Sequence, residues 1–348
     1  MSLCSIHKRQ GGSNNPLHCA DMEATSLDHS SSTPAVSVII PAYNVTAFIA
    51  DALDSLRAQT FRDFETIVVN DGCPDSSNLE RVLEPYRGEI VYIRQENQGV
   101  AAARNTALRA ARAPLVALLD PDDMWEPEYL EVQTGHLASD PEAGVACANV
   151  TFIGETRFEG QTFLDMFPDR GEITFRRLLG QQCRISSSVT ARRELILRAG
   201  LFNATLRAAE DLHLWLRLAH MGTRFIRTDR PLIRYRARSE SLSNDPIRLG
   251  ADLLKVYRNL SETLDLNAAD RACLEDAIRR EDATLDFFLG KKALYAGRSP
   301  EALERLGRAN RVMGSRKVSV AMLALRIAPG LVHKLVRWRN PTEYKFLH

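Results

Sequence analysis

Carboxylates stand directly behind a run of apolar residues in the segment VALLDPDDMW, which spans residues 116–125. Asp120 and Asp122 are separated by one residue, and Asp123 follows. Such a turn can bind Mg²⁺ or Mn²⁺ through one or two carboxylates, with the phosphates of a nucleotide completing the coordination. At alternate positions, one aspartate can contact a ribose while the other binds the metal. The pattern predicts a divalent cation held over a diphosphate.

Two other interpretations of this acidic turn are a solvated loop, in which Asp123 caps the next helix, and a calcium-binding loop. In a calcium loop Glu131 would be the twelfth position, but Met124 stands at the fifth ligand position and Trp125 where the sharp turn requires glycine. The solvated loop stays open. The sequence has no GxxxxGKS or GxxxxGKT loop and no GxGxxG after its first strand, which counts against P-loop enzymes and dinucleotide-dependent oxidoreductases.

Alternating strands and helices are predicted around this turn. The segments AVSVIIPAYN, FETIVVNDG, IVYIR and LVALLD are typical of buried strands, and amphipathic patterns between them predict helices. The alternation predicts a parallel sheet with helices on both faces and right-handed crossovers. Ligands of such sheets bind beyond the carboxyl ends of the strands, where PAYN, NDG and DPDD all lie. We therefore expect these three polar clusters to line one crevice.

The pattern changes further along the chain. GVACANVTFI predicts one more strand, the stretch up to residue 188 is rich in loops, and AAEDLHLWLRLAHMG predicts an amphipathic helix. Beyond residue 244 the sequence is helical throughout. The predicted organisation is a flexible N-terminal arm (1–33), a catalytic α/β domain (34–245) and a helical C-terminal region (246–348).

Composition restricts the classes of function. The chain has 348 residues, 45 basic and 44 acidic side chains and a formal net charge of +1, so no global field favours binding to nucleic acid. Its six cysteines lack CxxC pairing and regular spacing, which argues against a zinc site or a disulfide framework and favours a reducing, cytoplasmic setting. The sequence shows neither the apolar core of a signal peptide nor an apolar run long enough to span a bilayer.

A basic and apolar segment, VSVAMLALRIAPGLVHKLVRWRN, lies near the C-terminus. It predicts a basic amphipathic helix that docks on the surface of a membrane with anionic lipid. The alternative is a terminal helix that packs on the domain or on a second subunit, so a homodimer stays open.

Five segments occur in a recognisable order: SVIIPAYN, QTFRDFETIVVNDGCPDSS, NQGVAAARNTAL, LLDPDDMWEPEYLE and AEDLHLWLRLAHMG. Together they resemble the family 2 glycosyltransferases, inverting enzymes of the GT-A fold that use nucleotide-diphosphate sugars. The resemblance covers about residues 35–244. It implies a GT-A domain with a mostly parallel central sheet, a Mn²⁺ or Mg²⁺ ion, a donor that is commonly a UDP-sugar, and a glycan or lipid-linked acceptor.

The resemblance also implies which residues bind the donor. These are Pro41, Ala42, Tyr43, Asn44, Asp71, Arg104 and Asp120. A tyrosine ring can stack on a base and a carboxylate can accept a base N–H, which suits Tyr43 and Asp71. Arg104 would contact the nucleotide or phosphate, with a surface cation as the alternative. In the DxD motif, Asp122 would be the direct metal ligand, and Asp120 would contact the ribose or the metal.

Glu210 and Asp211 match the ED pair that supplies the catalytic base in this family. Inverting transfer needs one general base, which removes the proton of the acceptor hydroxyl as that oxygen attacks the anomeric carbon. Neighbouring residues at a helix start point about 100° apart, so both cannot act as the base. The family pattern favours Asp211, with Glu210 as its helper. The alternative is that both are ordinary first-turn acids of a helix.

Further contacts to the diphosphate or the acceptor are open for Asp123, Trp215, Arg234, Arg236 and Arg238. Asp123 is expected mainly as a supporting residue or helix cap, and Trp215 as a core residue that could border the acceptor site. The alternating arginines could reach the diphosphate or form an exposed strand face. Alternatives for the whole chain are a sugar nucleotidyltransferase, whose early Gly-rich signature is absent here, and a non-catalytic nucleotide-binding membrane scaffold.

Overall fold

The structure, a computed structural model, describes residues 32–168, 171–238 and 245–339, with side chains as far as residue 335. Its strands are β1 (Val36–Ala42), β2 (Phe64–Asp71), β3 (Ile90–Gln95), β4 (Leu115–Leu118), β5 (Met124–Trp125), β6 (Ala143–Gly154), β7 (Val189–Arg192) and β8 (Arg224–Ala237). The predicted N-terminal arm lies almost entirely outside the described residues.

Helices lie between most of these strands, and the last five follow β8. They are α1 (Ile49–Arg57), α2 (Ser76–Leu83), α3 (Val100–Ala110), α4 (Tyr129–Ser139), α5 (Phe163–Met166), α6 (Phe175–Leu179), α7 (Arg193–Arg198), α8 (Glu210–His220), α9 (Pro246–Thr263), α10 (Ala268–Tyr295), α11 (Ser299–Met313), α12 (Arg316–Ile327) and α13 (Pro329–Arg339). None of these described helices combines the length and the apolar character that crossing a bilayer requires.

The eight strands form one sheet in the order β3-β2-β1-β4-β7-β6-β8-β5. The first four strands in this order are mutually parallel, as the sequence predicts. β7 runs antiparallel to both β4 and β6, β8 is parallel to β6, and β5 is antiparallel to β8. The predicted mostly parallel α/β sheet is therefore confirmed, with an antiparallel strand at its centre and another at one edge.

Two hydrophobic layers cover the sheet, and neighbouring residues of β1 face opposite layers. Ile39 packs in the layer that contains α3 and α8, whereas Ile40 packs against α1 and α2. Every residue of β1 is buried. A strand covered on both faces needs apolar side chains at successive positions, which explains the apolar run from Val38 to Ala42. Ser37, the one polar residue of β1, is also buried, and its hydroxyl donates to Glu65 Oε1 at 2.6 Å.

The C-terminal helices continue from one of these layers. The long helix α10 packs against α9 and α11, and α9 contacts α8. His213 Nε2 of α8 lies 2.7 Å from Asn259 Oδ1 of α9. This contact links the helical region to the helix whose first two residues are the predicted catalytic pair. The helical C-terminal region is therefore confirmed for the residues that the structure describes.

Candidate active site

The acidic turn lies beside the end of β1. Strands β1 and β4 pair in parallel, and the Leu119 N–H donates to the Ile39 carbonyl at 3.0 Å. The segments that follow the two strands therefore leave the sheet on the same side, at the carboxyl ends of the strands. Tyr43 is 47% exposed there, and Asn44 has a φ of 53°. β1 continues through Ala42, whose side chain is fully buried. Of the predicted donor residues 41–44, Tyr43 and Asn44 have exposed side chains, whereas Pro41 and Ala42 are buried.

Asp71 ends β2 and is only 2% exposed. Its Oδ1 accepts hydrogen bonds from Gln95 Nε2 at 2.7 Å and from the Gln98 N–H at 3.0 Å, and its Oδ2 accepts from the Gly99 N–H at 2.8 Å. These bonds fasten the chain at the start of α3. A carboxylate has about four acceptor sites. Asp71 thus retains capacity for one further N–H, which is what contact with a base would use.

Arg104 joins the acidic turn to the predicted catalytic pair. Its side chain is 3% exposed, one guanidinium nitrogen lies 2.6 Å from Asp120 Oδ1, and another binds Glu210 Oε1. The first of these carboxylates follows β4 and the second begins α8. The guanidinium is thus occupied on two sides and enclosed. Arg104 is therefore not a surface cation, and its contact with the nucleotide or phosphate stays a prediction.

Asp211 is the half-buried neighbour of this cluster. Burial and the adjacent Glu210 carboxylate raise its pKa to about 6, while the Arg104 charge opposes that rise. Asp211 Oδ1 accepts a hydrogen bond from the Leu212 N–H at 2.7 Å. A carboxylate with this pKa is ionised at neutral pH yet is a stronger proton acceptor than an ordinary aspartate. Ala209 precedes the pair in the left-handed region, with a φ of 56°, and turns the chain into α8.

Asp122 has an arginine as its partner. Arg238 lies 2.8 Å from Asp122 Oδ2, and Arg236 Nε donates to the Asp122 carbonyl at 3.0 Å. Burial and then the Asp120 charge raise the pKa of Asp122, so negative charge is crowded at this turn even with Arg238 present. Both guanidinium groups lie over the ring of Phe48, that of Arg236 at 5.3 Å and that of Arg238 at 4.9 Å from the ring centroid.

Asp123, Trp215 and Arg234 are buried or paired in the structure. Asp123 is 2% exposed and accepts a hydrogen bond from the Arg236 N–H at 2.9 Å, so it supports the turn from inside. Trp215 is 1% exposed and packs in the core, the position that the sequence analysis expects for it, and a contact with the acceptor stays a prediction. Arg234 pairs with Glu126 at 2.6 Å, on the exposed part of β8, and so does not reach the acidic turn. Of the three arginines, only Arg236 and Arg238 contact it.

The chemistry of the turn fits a hard divalent cation that a ligand helps to bind. Asp120 and Asp122 offer carboxylate oxygens, the ligand type that Mg²⁺ and Mn²⁺ prefer. Among the described residues there is no group of three or more acidic, histidine or cysteine side chains that could hold a metal ion. Phosphate oxygens from a ligand would complete the coordination of an ion at this turn, as they usually do in nucleotide sites.

Two further residues, Ser187 and Phe48, contribute to the site without a signal in the sequence. Ser187 Oγ donates to Asp120 Oδ2, which fixes that carboxylate from the side opposite Arg104. Ser187 lies just before β7, a strand of four residues that the sequence pattern does not reveal. In the sequence, Phe48 fits the apolar face of the helix that becomes α1. Nothing in the sequence indicates that Arg236 and Arg238 lie over its ring.

Comparison with known proteins agrees with this geometry. The description "Glycosyl transferase family 2" matches residues 37–198. The uncharacterized glycosyltransferase EpsJ of Bacillus subtilis (strain 168) is 32% identical over 254 residues, which cover 70% of this chain and 73% of the relative. The putative teichuronic acid biosynthesis glycosyltransferase TuaG of the same organism is 31% identical over 234 residues, covering 65% of this chain and 88% of the relative.

Solved structures show the same fold. S. aureus TarS 1-349 in complex with UDP-GlcNAc matches with a TM-score of 0.58 at 20% identity, over 88% of this chain and 92% of that one. The mannosyltransferase PcManGT from Pyrobaculum calidifontis, in complex with GDP-Man and Mn²⁺, matches with a TM-score of 0.56 at 20% identity, over 91% and 86%. The sheet and its helices are those of a GT-A glycosyltransferase. The relatives, the matched segment and the fold agree, and the chain belongs to glycosyl transferase family 2.

Proposed function

We propose that this glycosyltransferase transfers a sugar, with inversion, from a nucleotide-diphosphate sugar to a hydroxyl of a glycan or lipid-linked acceptor, with Asp211 as the general base. The supporting observation is the buried Arg104, whose guanidinium contacts both Asp120 and Glu210. It places the acidic turn, which suits a metal and a diphosphate, beside the carboxylate pair that suits proton removal.

In this proposal Asp211 accepts the proton of the acceptor hydroxyl while the oxygen attacks the anomeric carbon. The bond between that carbon and the diphosphate breaks on the opposite face, and the electron pair leaves with the diphosphate. The raised pKa of Asp211 suits this task because a base near neutral pKa combines availability with proton affinity. Glu210, held by Arg104, keeps its carboxylate away from the acceptor and helps to set the pKa of Asp211.

The donor side is proposed at Tyr43, Asn44 and Asp71, with the base stacked on the exposed Tyr43 ring. Asp122 and Asp120 would hold Mn²⁺ or Mg²⁺, which would stabilise negative charge on the leaving diphosphate. A nucleotide-sugar donor is supported by the UDP-GlcNAc and GDP-Man named for the two solved neighbours, and we take a UDP-sugar as the first donor to test.

A role in cell-surface polysaccharide or glycoconjugate synthesis is supported by the teichuronic acid biosynthesis named for the relative TuaG. A lipid-linked acceptor would be reached from a membrane surface. We therefore propose that the enzyme acts in the cytoplasm, peripherally attached to the membrane.

Two substitutions test the proposal. Asp211→Asn keeps shape and removes the base, so nucleotide-sugar binding should persist while transfer falls by at least about 10²-fold, the lower range for a positioned general base. Asp122→Ala should remove the Mn²⁺-dependent part of donor binding. A screen of UDP-sugars for Mn²⁺-dependent thermal stabilisation reports binding, and release of UDP reports turnover.

Asp63→Asn is the matched control, because Asp63 is an exposed aspartate just before β2, at the opposite edge of the sheet. It should change neither binding nor turnover. Normal turnover in Asp211→Asn would remove Asp211 from the role of base. Mn²⁺-dependent binding that survives in Asp122→Ala would move the metal elsewhere.

A further inference from the structure

An apolar stripe runs along the outside of the last two described helices. Its members are Val320 (67% exposed), Leu323 (57%), Ile327 (75%), Leu331 (67%) and Leu335 (53%). At 100° per residue, the three members on α12 lie within about 60° of one another. Large aliphatic side chains this exposed, and next to each other, mark an interaction surface more than a solvated face.

The opposite faces of both helices are packed on the protein, so the stripe is a true outer face. Leu325 of α12 is 2% exposed and packs with Ala293 of α10 and Ala302 of α11. In α13, His333 Nδ1 lies 2.9 Å from the Leu294 carbonyl, and His333 Nε2 lies 2.9 Å from Ser299 Oγ. The helices are thereby fixed with the stripe turned away from the core.

Cations flank the stripe. Residues 314–342, which include α12 and α13, contain six lysine or arginine residues and no aspartate or glutamate. On the helical projection of α12, Lys317 and Arg326 lie on the two sides of the stripe, and Arg316 lies in line with it. Within the described part of the chain, no carboxylate pairs with these three side chains or with Lys334. The surface combines exposed aliphatic residues with uncompensated positive charge.

We propose that this stripe docks the enzyme on an anionic lipid bilayer, with α12 and α13 lying in the plane of the interface. The aliphatic side chains would enter the boundary of the acyl chains while the flanking cations contact lipid phosphates. α12 has twelve residues and is about 18 Å long, too short to cross a hydrocarbon core of about 30 Å. An interfacial position is the one that its length and its charges allow.

A second copy of the chain fits this surface less well. A two-fold contact would place the same patch on both partners, so rows of arginine and lysine would face each other without a carboxylate between them. Anionic lipid supplies the missing negative charge. The proposed docking surface belongs to the helical region, and it includes none of the proposed catalytic residues.

Co-sedimentation of the full chain with lipid vesicles tests the proposal. Wild type should bind vesicles of phosphatidylcholine mixed with phosphatidylglycerol, bind pure phosphatidylcholine more weakly, and be released as salt rises. Leu323→Glu/Ile327→Glu should weaken binding to the anionic vesicles by at least about ten-fold, since two aliphatic side chains that would enter the lipid are replaced by charges that the lipid repels. Arg316→Gln/Lys317→Gln/Arg326→Gln should weaken binding to the anionic vesicles only.

The matched control is Leu197→Glu/Met221→Glu, which makes the same change at two exposed apolar residues of the catalytic domain, 39% and 44% exposed. This variant should bind vesicles as wild type does. UDP release in solution should be unchanged in the stripe variant, which shows that it is folded and separates this test from that of the proposed function. Wild type that stays in the supernatant, or a stripe variant that still binds, would overturn the proposal. A dimer that Leu323→Glu/Ile327→Glu dissociates would assign the surface to a second copy and overturn it as well.

Discussion

Neutralising a charged neighbour of Asp211 should shift the pH profile of transfer. Loss of the negative neighbour and loss of the positive neighbour should shift it in opposite directions. The negative charge of Glu210 raises the pKa of Asp211, and the positive charge of Arg104 lowers it. Glu210→Gln should therefore lower the pKa of Asp211 below its present value of about 6, and Arg104→Gln should raise it further. Transfer needs the ionised base, so the acid limb of kcat/KM against pH should move down in the first variant and up in the second.

The expected size follows from the closeness of the charges. Adjacent side chains at a helix start are about 6 Å apart, and at an effective dielectric constant of about 20 a unit charge at that distance is worth about 3 kcal/mol, or about two pKa units. Asp211 is only half-buried, so water in the cleft screens part of this interaction. We expect each limb to move by about one pH unit.

The assay is UDP release at low donor concentration, followed from about pH 4.5 to pH 8, where the Asp211 limb lies. Arg104→Gln also leaves two carboxylates without their buried partner, a loss that typically costs about 3–5 kcal/mol of stability, so its unfolding in urea must be measured at the same pH values. Arg109→Gln is the matched control, since it removes an exposed arginine from the same helix.

A limb that moves the same way in both variants would refute the electrostatic account, because a loss of structure has no reason to reverse sign with the charge removed. A limb that stays at its wild-type position in both would show that the titrating group is not Asp211. Arg104→Lys offers a further check. It keeps the positive charge, so the acid limb should stay at its wild-type position even where contact with both Asp120 and Glu210 is lost.

Two other outcomes follow from the site. Tyr43→Ala should weaken UDP binding by about five-fold or more, because stacking on an aromatic ring is worth about 1–3 kcal/mol per base, whereas Tyr43→Phe should bind normally. Calorimetry that shows equal affinity for both variants would place the base elsewhere. Arg238→Gln frees the Asp122 carboxylate and should tighten nucleotide-free Mn²⁺ binding by up to about five-fold, since a partly exposed ion pair is worth about 1 kcal/mol or less. Weaker Mn²⁺ binding, by paramagnetic resonance, would contradict a competition between Arg238 and the metal.

The parts of the fold that the sequence predicts are those with a local signal. Strands β1 to β4 are short apolar runs that end in turn residues, and helices fill the intervals, so their existence and their parallel direction can be predicted from the sequence. The acidic turn follows from the same reasoning, because parallel strands present their carboxyl ends at one edge. By contrast, β8 escapes prediction: arginines and a proline interrupt RFIRTDRPLIRYRA, and much of the strand is only half-buried.

The part of the site that cannot be predicted depends on partners distant in sequence. Arg104 binds Asp120 and Glu210, which are 16 and 106 positions away, so no spacing rule relates them. A cation near a DxD motif suggests a phosphate contact, yet packing against α8 encloses this one. Trp215 is a similar case, because an amphipathic helix shows which residues are apolar but not whether an aromatic ring at the edge of its stripe meets the core or the cleft.

Charge balance connects the separate features of the site. Around the acidic turn, the described residues with carboxylates are Asp51, Asp120, Asp122, Asp123, Glu210 and Asp211, and those with guanidinium groups are Arg104, Arg236 and Arg238. Six carboxyl groups thus accompany three guanidinium groups. Burial and the neighbouring carboxylates raise the pKa of Asp122, Asp123 and Asp211, the direction expected for a site with excess negative charge. A divalent cation would offset most of that excess. The same excess of carboxyl groups therefore favours a metal ion at the turn and raises the pKa of the proposed base, Asp211. Binding of the ion should then lower the pKa of Asp211, so that the base is more fully ionised once the donor is in place.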